Sequence, residues 1–449
     1  MQSAPWVDST TAKGTDMKNH DLATYRGWRG SMAAATVLAT TLLGCADADD
    51  RPRTDVAARA DLPTLTASGW FGDNRDRLDA MIAALGRGSP TWDASDRPVV
   101  VFDWDNTVTK NDTGDRFTFW MLNHDKVLQP ADGDWANVSP HLSDAARAAL
   151  AAACGDLAQP GEPLPTSTHS ACANEIYAAY LLEKTVAGLP AWRYATVTPY
   201  ANYTYQLTAQ IMAGHKPQDI HRFAQAAIEK GLAAPVGATT TVGTYVDNGW
   251  IRIYDQIREL IGVLQANGFD VWIATASPQL VIEAVADDLV GIAPDHVIGI
   301  RQVIRHGRVT ADTEGCGPVA DGANTMITFD EGKRCWINKV IYGEPVEAQL
   351  PVNPDPHRRP VFAAGDSDTD IAFVKDATVL KLAINRAKVQ LMCNALSNYD
   401  DRWLFQPMFI SPRARRTSAY PCSTARDARG DLIVDEAGQP MADQFEPLY

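Results

Sequence analysis

Four short stretches of the chain put groups that can do chemistry at the ends of apolar runs. The first is Asp103-Trp104-Asp105-Asn106-Thr107, directly after Val99-Val100-Val101-Phe102. Two carboxylates two residues apart on a turn can converge on one ligand, one as nucleophile and the other as acid and base. The second is Thr275-Ala276-Ser277, closing the run Phe269 to Ala274. A hydroxyl and backbone N–H groups at such a place suit a phosphate oxygen, although Ser277-Pro278 also reads as an ordinary helix start. The third is Lys333 in Glu331-Gly332-Lys333, at the head of a short helical pattern, with Lys339 as its rival. The fourth is Gly365-Asp366-Ser367-Asp368-Thr369-Asp370, after Val361 to Ala364. Three carboxylates in five residues repel one another unless a cation compensates, and hard oxygen ligands of this kind suit Mg²⁺.

The elements that must carry these stretches follow from the hydrophobic pattern. Short continuous apolar runs ending in polar residues suit central strands of a parallel sheet. They alternate with helical patterns, as at Ile251 to Ala266 (ended by Asn267-Gly268) and Pro278 to Leu289. That alternation predicts an α/β fold with a Rossmann-like parallel sheet, whose ligands bind at the carboxyl ends of the strands. Residues 111–250 lack strand-type runs and carry apolar residues at helical spacing, which predicts a largely helical insert between the first two motifs. Residues 76–110 and 251–402 are then the catalytic core, 111–250 a cap, and 403–449, rich in Pro, an irregular extension.

Taken in order, D-x-D-x-T, Thr/Ser, Lys and G-D-S-x-x-D resemble the haloacid dehalogenase superfamily of phosphohydrolases. The long insert resembles the cap of its phosphoserine phosphatase-like branch. Thr275-Ala276-Ser277-Pro278, His296-Val297-Ile298-Gly299 and Leu382-Ala383-Ile384-Asn385 resemble that branch too. Asp-Trp-Asp-Asn-Thr, Glu-Gly-Lys and the Gly365 to Asp370 run most resemble secreted phosphocholine phosphatases. The resemblance implies a Mg²⁺-dependent phosphomonoester hydrolase working through an aspartyl-phosphate. Asp103 would be the nucleophile and Asp105 the acid and base. Thr275 and Lys333 would hold the phosphoryl oxygens. The metal would sit among Asp103, the backbone carbonyl of Asp105, Asp366 and Asp370, the last binding it or orienting Lys333.

The substrate implied is a small phosphorylated metabolite, with phosphocholine a candidate. A phosphoserine phosphatase and a broad-specificity acid phosphatase are alternatives, and a non-catalytic phospholigand-binding lipoprotein is a reading of another class. Aromatics of the insert (Phe117, Phe119, Trp120, Trp135, Trp192, Tyr245, Trp250) could cage a quaternary ammonium. Arg116 would be the cation to consider for a substrate carboxylate.

Length and charge set the outer limits. A chain of 449 residues has room for two or three domains. A formal net charge of −15 argues against a nucleic-acid partner. Arg26 and Arg29 precede the uncharged stretch Ser31 to Gly44, and Leu42-Leu43-Gly44-Cys45 reads as a lipobox. The stretch is too short to span a bilayer. Residues 1–44 are therefore expected to be a lipoprotein signal, with Met17 a candidate start. Cys45 is the expected lipidation site, and residues 45–75 a flexible tether. The mature protein would be anchored to the bacterial cell envelope, facing the periplasm, with the membrane as a partner. The six remaining cysteines fit an oxidising compartment, and pairing of sequence neighbours (154–172, 316–335, 393–422) would close short loops. No C-x-x-C or H-E-x-x-H spacing points to zinc.

Overall fold

The computed structural model describes residues 62–194, 197–322, 326–435 and 437–447. The expected signal segment, Cys45 and the first part of the tether lie outside the described residues. Among the described residues no helix is long and apolar enough to cross a membrane.

Six parallel strands form the central sheet: β1 (Val99–Phe102), β2 (Asp270–Pro278), β3 (Val297–Ile300), β4 (Phe362–Gly365), β5 (Leu380–Asn385) and β6 (Trp403–Pro407). Their spatial order is β6-β5-β4-β1-β2-β3. The fold is α/β and Rossmann-like, as the alternation of apolar runs predicts. The register pairs Phe102 with Ala364 on one side and with Ile273 on the other. Phe102 and Ala364 end the runs before the first and fourth motifs and Ile273 is one residue from the end of the run before the second, so the three motifs leave the same edge of the sheet side by side. Central strands buried on both faces are why the runs are continuous rather than alternating; Val100, Val101 and Phe102 are all fully buried.

The segment before and after the insert is itself paired. Thr109–Lys110 lies antiparallel to Arg252–Ile253, so both crossings between sheet and cap form one short ribbon. Helices of the cap include Thr113–Asn123, Asp144–Cys154, Ser170–Tyr177, Tyr203–Gln210 and Pro217–Ala233. Pro217 opens the last of these at a position where its missing N–H costs nothing. The cap also contains strand pairing that the sequence pattern hides: a hairpin of Thr239–Val242 with Tyr245–Asn248, and a two-residue pair at 197–202. Thr and single Val positions give these strands no apolar run to betray them. A hairpin from the core, Gln302–Arg305 with Arg308–Thr313, turns at His306-Gly307 and joins the cap through Gly214 N–H to the Val309 carbonyl (2.9 Å) and Val309 N–H to the His215 carbonyl (2.9 Å).

Several expectations need correction. Residues 62–75 are not a loose tether. Glu259 accepts from the backbone N–H groups of Thr66 and Ala67 (both 2.8 Å), and Phe71 N–H donates to Gln406 (2.8 Å). The polar composition of this stretch conceals backbone donors satisfied by distant side chains. The extension also does not begin at 403: Trp403–Pro407 is an edge strand of the sheet, paired in parallel with β5. Its five residues stand alone before a Pro-rich tail, too short for a periodic signal. The helix placed over 278–289 is two short ones, Gln279–Glu283 and Ala286–Val290. Three disulfides join Cys154 to Cys172, Cys316 to Cys335 and Cys393 to Cys422, the last tying the tail to the body.

Candidate active site

The turn after β1 is built around Trp104. Its ring is fully buried, its Nε1–H donates to Thr113 Oγ1 (3.0 Å), and its carbonyl accepts from the N–H groups of Val108 (2.9 Å) and Thr109 (3.0 Å). Asn106 takes the left-handed conformation (φ 63°), which Asn tolerates better than most residues. The chain thereby doubles back and leaves Asp103 and Asp105 at the sheet edge.

Asp103, Asp366 and Asp370 each bring a carboxylate oxygen within 4.8 Å of the others. All three are buried. Lys333 lies between two of them, 2.7 Å from Asp103 Oδ1 and 2.6 Å from Asp370 Oδ1, and is 1% exposed. Burial alone would lower its pKa, but Asp103 and Asp370 outweigh that and hold the ammonium above its usual value. Thr107 donates to Asp103 Oδ2 (2.9 Å), and Arg386 to Asp366 Oδ2 (2.8 Å). Burial, then Asp370, push the Asp103 carboxyl well up, against the pull of Lys333. Three carboxylates thus face two cations in a dry place, a donor set that a divalent ion would balance.

Asp370 is more than a member of this cluster. Its Oδ2 accepts from the backbone N–H groups of Asp366 (3.0 Å) and Ser367 (2.9 Å), while Oδ1 takes Lys333. Both oxygens are occupied by the turn and the lysine, which makes it foremost the residue that orients Lys333. Gly365 is what permits this: a Cβ there would sit 2.5 Å from Asp370 Cβ.

Residues 171–375 match the model of the haloacid dehalogenase-like hydrolase family. The chain carries a haloacid dehalogenase-like hydrolase domain. The matched span contains Thr275, Lys333, Asp366 and Asp370, and begins after Asp103 and Asp105. No curated protein is similar enough in sequence to count as a match. Among solved structures, the chain is similar to a conserved, functionally unknown protein from Anaerococcus prevotii DSM 20548. The two share 17% identity over 76% of this chain and 93% of that one, with a TM-score of 0.55, which shows a shared fold. Fainter likenesses are to a protein of unknown function from Bordetella pertussis Tohama I (14% identity, 70% and 99% covered, TM-score 0.41) and to a phospho-aspartyl intermediate analogue of phosphoserine phosphatase (12%, 69% and 92%, 0.31).

In this hydrolase domain Asp105 stands apart from the acidic cluster. Its Oδ1 accepts from Thr113 N–H (2.6 Å) and its Oδ2 from Ser277 Oγ–H (2.6 Å). Burial, helped by the neighbouring Asp112 charge, pushes it up to about 7. A carboxyl at that value can give and take a proton near neutrality. Its side chain is therefore not one of the clustered ligands. Thr275 is fully buried and lines the same cleft; its Oγ1 accepts from Ser277 N–H (3.0 Å). Ser277 is not a helix cap. It reaches Asp105 because Gly114 opposite has no side chain: a Cβ there would meet Ser277 Oγ at 2.7 Å.

The cap closes the cleft of the hydrolase domain with residues not singled out in the sequence: Asp112, Tyr180, Tyr205 and Thr208. Tyr180 Oη–H donates to Asp115 (2.5 Å). Arg386, also in the cleft, was hidden too, although a cation directly after the strand Leu380–Asn385 is a usable signal. Asp112 had one as well, since Asp at a helix start caps it; its carboxylate accepts from Asp115 N–H (2.9 Å). None of the seven aromatics named for an ammonium cage lines this cleft. Phe117, Phe119, Trp135, Trp192 and Trp250 are buried, and Tyr245 stacks on Tyr177 at 4.4 Å. They serve the packing of the cap. Arg116 is likewise outside the cleft, and Lys339 instead bonds the Gly315 carbonyl (2.5 Å) and lies over the Trp336 ring.

Proposed function

We propose that this domain is a Mg²⁺-dependent phosphomonoesterase working through an aspartyl-phosphate. The observation that carries the reading is Lys333, buried and bridging Asp103 and Asp370 within 2.7 Å. A buried ammonium on a carboxylate nucleophile is what attack on a phosphate dianion requires, because the two anions otherwise repel.

In the first step an Asp103 carboxylate oxygen forms a bond to phosphorus and the bond from phosphorus to the leaving oxygen breaks. Asp105 gives that oxygen its proton. In the second step Asp105 takes a proton from water, the water oxygen bonds phosphorus, and the bond to Asp103 breaks, releasing phosphate. A carboxyl held at about 7 serves both directions. Thr275 and Lys333 hold the phosphoryl oxygens, and Ser277 keeps Asp105 aimed. Asp103, Asp366 and the Asp105 carbonyl would hold Mg²⁺, with Asp370 behind Lys333. The ion would supply charge for the phosphoryl oxygens.

The cap wall favours a cationic leaving group. Asp112, Tyr180 and Tyr205 line the cleft on the cap side, and the cation there, Arg386, is paired with Asp366. Phosphocholine or phosphoethanolamine fits such a wall; the carboxylate of phosphoserine does not. Envelope anchoring through Cys45 would place the enzyme among exported monoesters.

The test is a phosphomonoester panel with Mg²⁺, read by released phosphate, on the wild type and Asp103→Asn. Turnover that EDTA abolishes and Mg²⁺ restores, absent in the folded variant, is expected. Undiminished turnover after exhaustive chelation, or in Asp103→Asn of verified mass, would overturn the reading.

A further inference from the structure

We propose that Arg386 is a third phosphate-binding residue of the site, beside Thr275 and Lys333, a role that rests on the phosphatase reading above. Arg386 directly follows β5, and the neighbouring strand β4 leads into Asp366. The guanidinium therefore starts from the same edge of the sheet as the acidic motifs. It lies beyond residues 171–375, the span that the hydrolase family model matches. The turn that carries it is held by its own backbone. Asn385 is buried and its Oδ1 accepts from Ala387 N–H (3.0 Å), while Ala387 takes the left-handed conformation (φ 63°), which an alanine rarely adopts.

Only part of the guanidinium is spent. Its Nη1 donates to Asp366 Oδ2 (2.8 Å), and among the described residues no other acceptor takes an N–H group of Arg386. The side chain keeps 30% of its surface open, and none of its nitrogens is both buried and unpaired. The remaining donors are therefore accessible, and the residue lines the cleft together with Asp103, Thr275 and Lys333. Asp366 and Asp103 bring carboxylate oxygens within 4.8 Å of each other, with Arg386 directly behind Asp366. A phosphoryl group next to Asp103 is then within reach of the guanidinium.

Charge balance favours this role. Lys333 is already matched by two carboxylates, Asp103 and Asp370, whereas Arg386 has one, Asp366. When Asp366 also serves as a metal ligand, less of its charge is left for Arg386, and a phosphoryl dianion in the cleft is the partner that restores the balance. A planar, permanently charged guanidinium can bond two phosphoryl oxygens at once, which an ammonium does only as a point charge. The cap wall of Asp112, Tyr180 and Tyr205 is thereby left to the leaving group.

The test is isothermal titration of inorganic phosphate into the Mg²⁺-loaded full chain, with Mg²⁺ alone titrated separately into the metal-free protein. Phosphate binding should weaken at least tenfold in Arg386→Gln, and KM for p-nitrophenyl phosphate should rise by a similar factor. Mg²⁺ should bind that variant no more weakly than the wild type, since a cation beside Asp366 has been removed. Arg386→Lys keeps a charge for Asp366 and loses the planar fork; it should bind phosphate at least threefold more weakly, and it decides the matter if Arg386→Gln does not fold. Phosphate affinity unchanged in the folded variant overturns the proposal. A parallel loss of Mg²⁺ affinity overturns it too, since Arg386 would then only support Asp366. A wild type that neither binds phosphate nor hydrolyses p-nitrophenyl phosphate overturns the phosphatase reading and this role with it, whereas wild-type binding and turnover that the variants share sinks this role alone.

Discussion

Replacing Lys333 by Met tests the charge balance at the centre of the site. The ammonium is 2.7 Å from Asp103 and 2.6 Å from Asp370, with all three side chains nearly solvent-free. At an effective dielectric of about 20, each contact is worth about 6 kcal/mol before desolvation. Desolvation of the ions consumes much of this, and breaking a buried pair by removing one partner leaves a net loss of roughly 3–5 kcal/mol. Lys333→Met fills the space but leaves two carboxylates facing each other. In metal-free buffer its unfolding free energy, from urea titration, should fall by that amount. The double variant with Asp103→Asn should recover part of it, giving a coupling energy of about 2 kcal/mol in the cycle. With Mg²⁺, kcat should fall by about a thousandfold or more, since the phosphoryl charge loses its nearest fixed cation. A variant within 1 kcal/mol of wild type, with zero coupling and kcat within about tenfold, would refute the reasoning.

Other perturbations separate the parts of the site. Ser277→Ala removes the donor 2.6 Å from Asp105 and should lower kcat about tenfold with KM little changed, measured with p-nitrophenyl phosphate. Asp112→Asn should raise KM for phosphocholine about tenfold, roughly 1.4 kcal/mol, while sparing a neutral leaving group; comparison of the two substrates checks it. Replacing Cys154 and Cys172 together by Ala opens a loop of 18 residues in sequence separation and should cost about 3 kcal/mol by urea titration, with kcat retained in the fraction that stays folded.

The residues that touch phosphate in the proposed chemistry were legible because each stands at the end of an apolar strand, and strands of one parallel sheet end on one edge. Val99 to Phe102 and Val361 to Ala364 announce Asp103 and Asp366 in this way. Lys333 was harder, since a lysine at a helix start is usually solvated; only its burial and its two carboxylates separate it from Lys339. The tyrosines of the cap wall were not legible at all. Tyr180 sits in a π-helical turn, Ala178–Leu182, and Tyr205 on the helix Tyr203–Gln210, where side chains of the same type line the cap core. Which tyrosine faces the cleft depends on how the cap seats on the sheet, and no local spacing encodes that. The edge strand Trp403–Pro407 was missed for a related reason: its order in the sheet is set by pairing with β5, not by its own pattern.

The helix Thr113–Asn123 explains why a cap of this size is tied so closely to the chemistry. Thr113 N–H and Thr113 Oγ1 hold Asp105 and Trp104, Gly114 makes room for Ser277, and Asp112 tunes Asp105. Asp105, the proposed proton donor, is thus positioned by the first turn of the cap rather than by the sheet alone. Burial is the first cause of the raised Asp105 value, and Asp112 the second, so the start of this helix contributes to that value. In the proposed chemistry the cap therefore acts on the proton transfer as well as on the leaving group, because Asp112 both lines the cleft and raises Asp105.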